Sequence, residues 1–149
     1  MNKAIVSLVF SCFLISCGGG SDKSSEPVKL PTIKLSKSII YIQAKENGTA
    51  NTFKEEISFE IENLNSKVYV AAKNNSPELI DRIYLPVLGN LSGPPTSTVT
   101  IYPAQPYFTQ LKAGTYQGSI SLVLCEDNLC AKQIPGSSLV INVIYDVLI

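Results

Sequence analysis

Alternating apolar and polar positions dominate the chain from residue 28 onward. The clearest alternation spans residues 53–62, where apolar positions of one parity alternate with polar positions of the other: Phe53, Ile57, Phe59 and Ile61 against Lys54, Glu56, Ser58, Glu60 and Glu62. A period of two residues predicts a β-strand with one buried face. We therefore expect the apolar set, Phe53 included, to face a core and the charged set to face solvent.

Other segments predict further strands, and one of them predicts a central position in its sheet. Residues 139–148 are apolar on both parities, which is typical of a strand that is covered on both sides. The remaining candidates are rich in β-branched and aromatic residues, which favour strands. They span residues 33–35 together with 38–43, and residues 68–72, 83–87, 96–102 and 116–124.

Turn-forming residues separate the candidate strands. Glycine, proline and asparagine cluster at residues 47–48, 74–77, 93–95, 112–114 and 135–136. One short helical turn is indicated, with Ser76 as its cap and Pro77 at its first position. Because a sheet must bury its apolar face against another layer, about seven short strands predict an antiparallel β-sandwich. We expect a single domain of this kind over residues 28–149.

The C-terminal part of the chain carries a family resemblance. Within residues 111–147, Gly114-Thr115-Tyr116 opens a strand that is followed by Cys125, Cys130 and a last strand. This order resembles the end of bacterial immunoglobulin-like modules of secreted and lipid-anchored proteins. The resemblance implies an immunoglobulin-like β-sandwich that serves as a spacer, an adhesive module or an appendage of an enzyme. Tyr116 resembles the tyrosine of a tyrosine corner, whose ring packs inside while its hydroxyl bonds to nearby backbone.

The N-terminal segment predicts a signal peptide. Lys3 precedes an apolar run over residues 4–14, which is shorter than the roughly 20 residues that a membrane-spanning anchor helix needs. The run ends in Leu14-Ile15-Ser16-Cys17, which resembles the lipobox of bacterial lipoproteins. That resemblance implies removal of residues 1–16 and acylation of Cys17, whose lipid would hold the protein at a membrane.

A polar segment connects the lipobox to the domain. Residues 17–27 are rich in glycine and serine and have no apolar periodicity, which predicts a flexible tether. The glycine after Cys17 resembles the start of outer-membrane lipoproteins of Gram-negative bacteria. We therefore expect a location in the bacterial envelope, attached to the outer membrane on its periplasmic face or its surface.

Composition excludes several function classes. The 149 residues include 12 basic and 12 acidic residues, no histidine and no tryptophan. Without histidine there is no Ser-His-Asp or Cys-His triad and no imidazole ligand for zinc or haem. The balanced charge argues against binding to nucleic acid, which requires a basic face. The glycines after Cys17 do not lie between a strand and a helix, so no nucleotide site and no cofactor are predicted.

The four cysteines have three expected fates. Cys12 leaves with the signal peptide and Cys17 is acylated, so Cys125 and Cys130 are the thiols of the domain. An even pair outside the cytoplasm should form a disulfide, here closing a hairpin at Asp127-Asn128. So short a loop predicts a stabilisation of only about 2 kcal/mol. A redox pair is the alternative, but its usual CxxC spacing at a helix start is missing.

Carboxylates are the remaining candidates for chemistry. Glu126, Asp127 and Asn128 lie together, but they do not form a calcium loop of the D-x-D-x-D-G type, so we predict a solvated turn and no metal. Glu56, Glu60 and Glu62 share one parity, and two carboxylates about 5 to 10 Å apart are what a glycosidase needs. A small hydrolase acting on envelope glycans is therefore an alternative function, although a solvated outer face explains these residues more simply.

Two segments are candidate partner-contact loops. In the first, Tyr102, Tyr107 and Phe108 are interleaved with prolines, which oppose regular strand pairing. It forms either an exposed aromatic surface or a crossing loop whose Tyr107 and Phe108 fill the core. The second spans residues 88–95, with Leu91 near its tip. With no assembled catalytic set, we expect a non-enzymatic binding or structural module whose partner is an envelope protein or glycan.

Overall fold

The computed structural model describes residues 28–85 and 96–149, which form eight strands and one short helix. Cys17, Leu91 and the segments predicted to form a signal peptide and a tether lie outside these residues. In the described part of the chain, no helix is long and apolar enough to cross a membrane. The elements are β1 (Thr32–Leu35), β2 (Ile39–Lys45), β3 (Glu55–Glu62), β4 (Tyr69–Asn74), β5 (Ile80–Tyr84), β6 (Thr96–Pro103), α1 (Pro106–Thr109), β7 (Gly114–Cys125) and β8 (Leu139–Leu148).

The strands form two four-stranded sheets, in the orders β1-β3-β6-β5 and β2-β8-β7-β4. The predicted all-β sandwich is confirmed. The first order corresponds to strands A, B, E and D of an immunoglobulin constant-type sandwich, and β4, β7 and β8 correspond to C, F and G. Strand β8 lies between β2 and β7, which confirms the central position predicted for residues 139–148.

The prediction of an antiparallel sandwich was wrong for one strand pair, because β2 runs parallel to β8. The chain leaves the first sheet after β1 and crosses to the second through residues 36–38. Strand β2 lies at the edge of the second sheet, where it pairs with β8 in parallel. Residues 32–45 therefore supply one strand to each sheet, which brings the total to eight rather than about seven.

Strand β3 confirms most of the predicted alternation. Ile57, Phe59 and Ile61 are at most 2% exposed, while Glu56, Glu60 and Glu62 are exposed. Phe53 was predicted to join the buried set and does not, because it is 75% exposed. The strand begins only at Glu55, so Phe53 belongs to the preceding loop and the sheet does not dictate its direction.

The turn predicted at Ser76 and Pro77 is present and packs tightly against β7. The Ser76 carbonyl accepts the N–H groups of Leu79 and Ile80, each at 3.0 Å. Its hydroxyl does not cap the turn but accepts the N–H of Ser119 in β7, also at 3.0 Å. A Cβ at Gly118 would lie 2.6 Å from the Ser76 Oγ and 2.8 Å from Leu79 Cδ1. The close approach of turn and strand therefore requires glycine at this position.

The C-terminal sequence features also form as predicted. The Tyr116 hydroxyl donates to the Lys112 carbonyl at 2.9 Å while its half-buried ring packs on the core, as in a tyrosine corner. Cys125 and Cys130 form a disulfide with 5.0 Å between their Cα atoms. Antiparallel backbone contacts continue past it, since the Glu126 N–H donates to the Lys132 carbonyl at 2.9 Å. The disulfide thus closes a hairpin, as expected.

Candidate ligand-binding cleft

One end of the sandwich carries a cleft between the loops over residues 46–54, 75–79 and 104–113. Its volume is about 260 Å³, and it is open to solvent. We call it the end cleft. The lining side chains that matter for its chemistry are Phe53, Asp81, Arg82, Tyr102, Gln105 and Phe108. The opposite end of the sandwich carries the disulfide hairpin.

A stack of three side chains forms one wall of the end cleft. Arg82 of β5 and Tyr102 of β6 are direct partners in the strand pairing. The Arg82 guanidinium carbon lies 4.6 Å from the centre of the Tyr102 ring, within the range of a cation-π contact. The Phe53 ring meets Tyr102 edge to face, with 5.7 Å between centres. Pairing of β5 with β6 thus places the guanidinium beside the Tyr102 ring, which Phe53 meets from the loop before β3.

Helix α1 provides the other wall. Pro106 at its start is buried, whereas Tyr107 and Phe108 are 67% and 80% exposed. The interpretation of these two aromatic residues as fillers of the core is therefore wrong. Their rings contact each other edge to face at 5.3 Å. Phe108 lines the end cleft and Tyr107 lies next to it, outside the lining.

Hydrogen bonds from three elements hold the segment before α1 in place. The Ala104 N–H donates to the Leu79 carbonyl at 2.9 Å, and the Ala104 carbonyl accepts the hydroxyl of Tyr145 at 2.6 Å. The Gln105 side-chain oxygen accepts the Ala50 N–H at 2.7 Å. Phe108 therefore extends from a fixed backbone, which lowers the entropic cost of binding a ligand. Tyr145 is fully buried, and its loss of solvent raises its pKa to about 12.

Three polar groups of the end cleft have no hydrogen-bond partner among residues 28–85 and 96–149. They are the Asp81 carboxylate, the Arg82 guanidinium and the Tyr102 hydroxyl. The nearest pair, Asp81 Oδ2 and Arg82 Nε, is 3.9 Å apart, which is longer than a hydrogen bond. The end cleft therefore offers hydrogen-bond donors and acceptors beside exposed aromatic rings.

Of the three predicted contact residues that the structure describes, it brings together two in the end cleft, Tyr102 and Phe108. It adds three that the sequence patterns did not indicate: Phe53, Asp81 and Arg82. A signal for Arg82 was present, since it is the only arginine in the sequence. No comparable signal marks Phe53, which continues the alternation of β3 and for that reason was predicted to be buried.

None of the three glutamates considered for a hydrolase lines the end cleft. Glu56, Glu60 and Glu62 project from the outer face of the first sheet. Glu56 is paired with Lys54, and Glu62 lies 3.6 Å from Lys34. Among the lining residues in the described ranges, Asp81 is the only carboxylate. A glycosidase would need two.

Asp127 has a structural role at the opposite end. Its carboxylate accepts the N–H groups of Ala131, Leu129 and Lys132 at distances of 2.9 to 3.1 Å. These bonds, led by the one from Ala131, hold its pKa below the usual range. The carboxylate thus closes the disulfide hairpin. Across residues 28–85 and 96–149 no group of three or more acidic or cysteine side chains is placed to hold a metal ion.

Comparisons with protein families, curated proteins and solved structures find no match for this chain. Its function must therefore be inferred from its own residues.

Proposed function

We propose that this protein is a lipid-anchored module of the bacterial envelope that binds its ligand without catalysis, through the end cleft. The observation that carries the proposal is the exposure of Phe108 on a segment that buried hydrogen bonds hold in place. An aromatic ring that is 80% exposed buries little apolar surface and so adds little to the stability of the domain. A fixed and exposed ring beside a cleft is typical of a binding surface.

The composition of the end cleft supports binding. Aromatic residues and arginine are enriched among the residues that dominate binding energies. The end cleft combines Phe53, Tyr102 and Phe108 with the only arginine of the chain. Asp81 is the one carboxylate among its described lining residues, whereas a hydrolase acting on glycans would use a pair.

The envelope location rests on Leu14-Ile15-Ser16-Cys17 and on the apolar run before it. Acyl chains on Cys17 would anchor the protein stably, because each buried methylene contributes about 0.8 kcal/mol. The strand order of the domain supports its assignment as an immunoglobulin-like module. The proposed partners are envelope proteins or glycans, with attachment to the outer membrane through Cys17.

Replacing Cys17 with serine is expected to abolish lipid labelling. In cells fed a palmitate analogue, the wild-type chain should carry the label and Cys17→Ser should not, because serine has no sulfur to acylate. Cys12→Ser is the matched control and should keep the label, since Cys12 precedes the expected cleavage site. Unchanged labelling of Cys17→Ser would contradict the anchor.

Replacing Phe108 with alanine is expected to reduce envelope binding about tenfold or more, the usual effect of removing a central aromatic contact. The measurement is sedimentation of a soluble chain of residues 18–149 with isolated envelopes of the source bacterium. Leu129→Ala is the control, because Leu129 is 85% exposed but lies in the disulfide hairpin at the other end. Equal loss in both variants, or in neither, would argue against the end cleft.

A further inference from the structure

We infer that the ligand of the end cleft is a sugar residue with vicinal hydroxyl groups, part of an envelope glycan. This inference rests on the proposed function and specifies the class of its ligand. It depends on three features of the lining: exposed aromatic faces, polar side chains that have no hydrogen-bond partner among the described residues, and the occupied backbone groups of Ala104.

The aromatic faces suit the apolar side of a sugar ring. Phe53 and Phe108 line the end cleft from different loops and are 75% and 80% exposed. A pyranose presents a patch of C–H groups on its face and hydroxyls around its rim. Stacking this face on a phenyl ring removes apolar surface from water on both partners while the rim stays accessible to polar groups.

The polar groups suit the rim. The Asp81 carboxylate only accepts hydrogen bonds, the Arg82 guanidinium only donates them, and the Tyr102 hydroxyl does either. Vicinal hydroxyls are donors and acceptors at once, so one sugar can satisfy all three groups. A carboxylate ligand would pair with Arg82 but would be repelled by Asp81, which lies 3.9 Å from it. An amine ligand would pair with Asp81 but would be repelled by Arg82.

The backbone groups of the end cleft argue against a peptide ligand. Main-chain recognition needs free N–H and C=O groups, but those of Ala104 already bond to Leu79 and Tyr145. The Gln105 amide is likewise occupied, since its oxygen accepts the Ala50 N–H and its nitrogen donates to the Pro103 carbonyl at 3.2 Å. Ala104 and the Gln105 side chain therefore offer no free group to a peptide main chain.

The first test is an NMR titration of residues 18–149 with methyl glycosides of glucose, galactose, mannose and N-acetylglucosamine. We expect at least one to bind with a dissociation constant on the order of 1 mM, as for other ligands of this size. Resonances of Arg82, Tyr102 and Phe108 should shift. Asp81→Asn should weaken this binding about tenfold and Tyr102→Phe by a smaller factor, while Glu126→Gln at the other end should not change it. No binding by any of the four would overturn the inference.

The second test separates this inference from the proposed function. Periodate cleaves the carbon–carbon bond between vicinal hydroxyls, whereas protease removes envelope proteins. We expect sedimentation with envelopes to be lost after periodate and retained after protease. If sedimentation were instead retained after periodate and lost after protease, and Phe108→Ala also lost binding, the inference of a sugar ligand would be wrong. The end cleft would then be a protein-binding site. Binding that does not depend on Phe108 would overturn both.

Discussion

Replacing Tyr145 with phenylalanine is expected to lower the free energy of unfolding by about 1 to 3 kcal/mol, the cost of leaving a buried acceptor unpaired. The Tyr145 hydroxyl donates to the Ala104 carbonyl at 2.6 Å, and both residues are at most 3% exposed. Phenylalanine keeps the packing of the ring but removes the donor. Because Ala104 precedes α1, the same variant should also weaken binding at the end cleft.

Urea unfolding measures this effect, and Tyr41→Phe is the matched control. Tyr41 lies in the neighbouring strand β2 but is 65% exposed, so its hydroxyl can bond to water in both the folded and the unfolded chain. Its substitution should change the unfolding free energy by less than about 0.5 kcal/mol, as is usual for surface positions. If the two variants had the same stability, the bond to Ala104 would contribute nothing.

The effect of Tyr145 is expected to depend on pH. Burial raises its pKa to about 12 in the folded protein, against a value of about 10 in the unfolded chain. Below pH 10 both states keep the proton, so the contribution is fully present. As pH rises from about 10 to 12 the unfolded chain loses its proton first, which favours unfolding. The stability difference between wild type and Tyr145→Phe should therefore narrow over this interval, and a constant difference would contradict the assignment.

Replacing Gly118 with alanine is expected to destabilise the domain by about 1 to 3 kcal/mol, the range for overpacking a close-packed site. The added Cβ would lie 2.6 and 2.7 Å from the Oγ and Cβ of Ser76. Neither atom is the end of a long side chain, so the turn must move away from β7. That movement would also strain the hydrogen bond from the Ser119 N–H to Ser76.

The matched control for Gly118→Ala is Gln117→Ala, one position earlier in β7. Gln117 is exposed, so its truncation should change stability by less than about 0.5 kcal/mol. Thermal unfolding of both variants distinguishes the clash from a general effect of substitution in β7. If the Gly118→Ala domain were as stable as wild type, the turn could move away from β7 without a loss of stability, and this prediction would be wrong.

The sequence predicted the strands well because each depends mainly on local alternation. It could not predict that residues 32–45 divide between the two sheets, since apolar periodicity does not reveal which sheet a strand joins. The alternation was also misleading at Phe53, because a pattern does not show where strand pairing stops. Pairing of β3 with β6 begins only at Glu55, opposite Ile101.

The end cleft was only partly predictable because distant contacts create it. Helix α1 has four residues, too few for a helical pattern in the sequence. Contacts across 41 residues to Tyr145 and 55 residues to Ala50 fix the segment that leads into it. Arg82 similarly meets Tyr102 only when β5 pairs with β6. Aromatic residues near prolines correctly indicated the loop that contains α1. The polar residues of the end cleft could not be predicted in the same way, because only the folded strands bring them to it.

The direction of β1 determines how far the end cleft would lie from the membrane that holds Cys17. Thr32 lies opposite Glu62, so the chain enters the domain at the end of β3 that is remote from the end cleft. Strand β3 has 8 residues and a length of roughly 27 Å. With Cys17 anchored as proposed, the tether adds at most roughly 40 Å at full extension. With the domain upright on an extended tether, the end cleft would lie up to roughly 70 Å above the leaflet, within the depth of an attached glycan network.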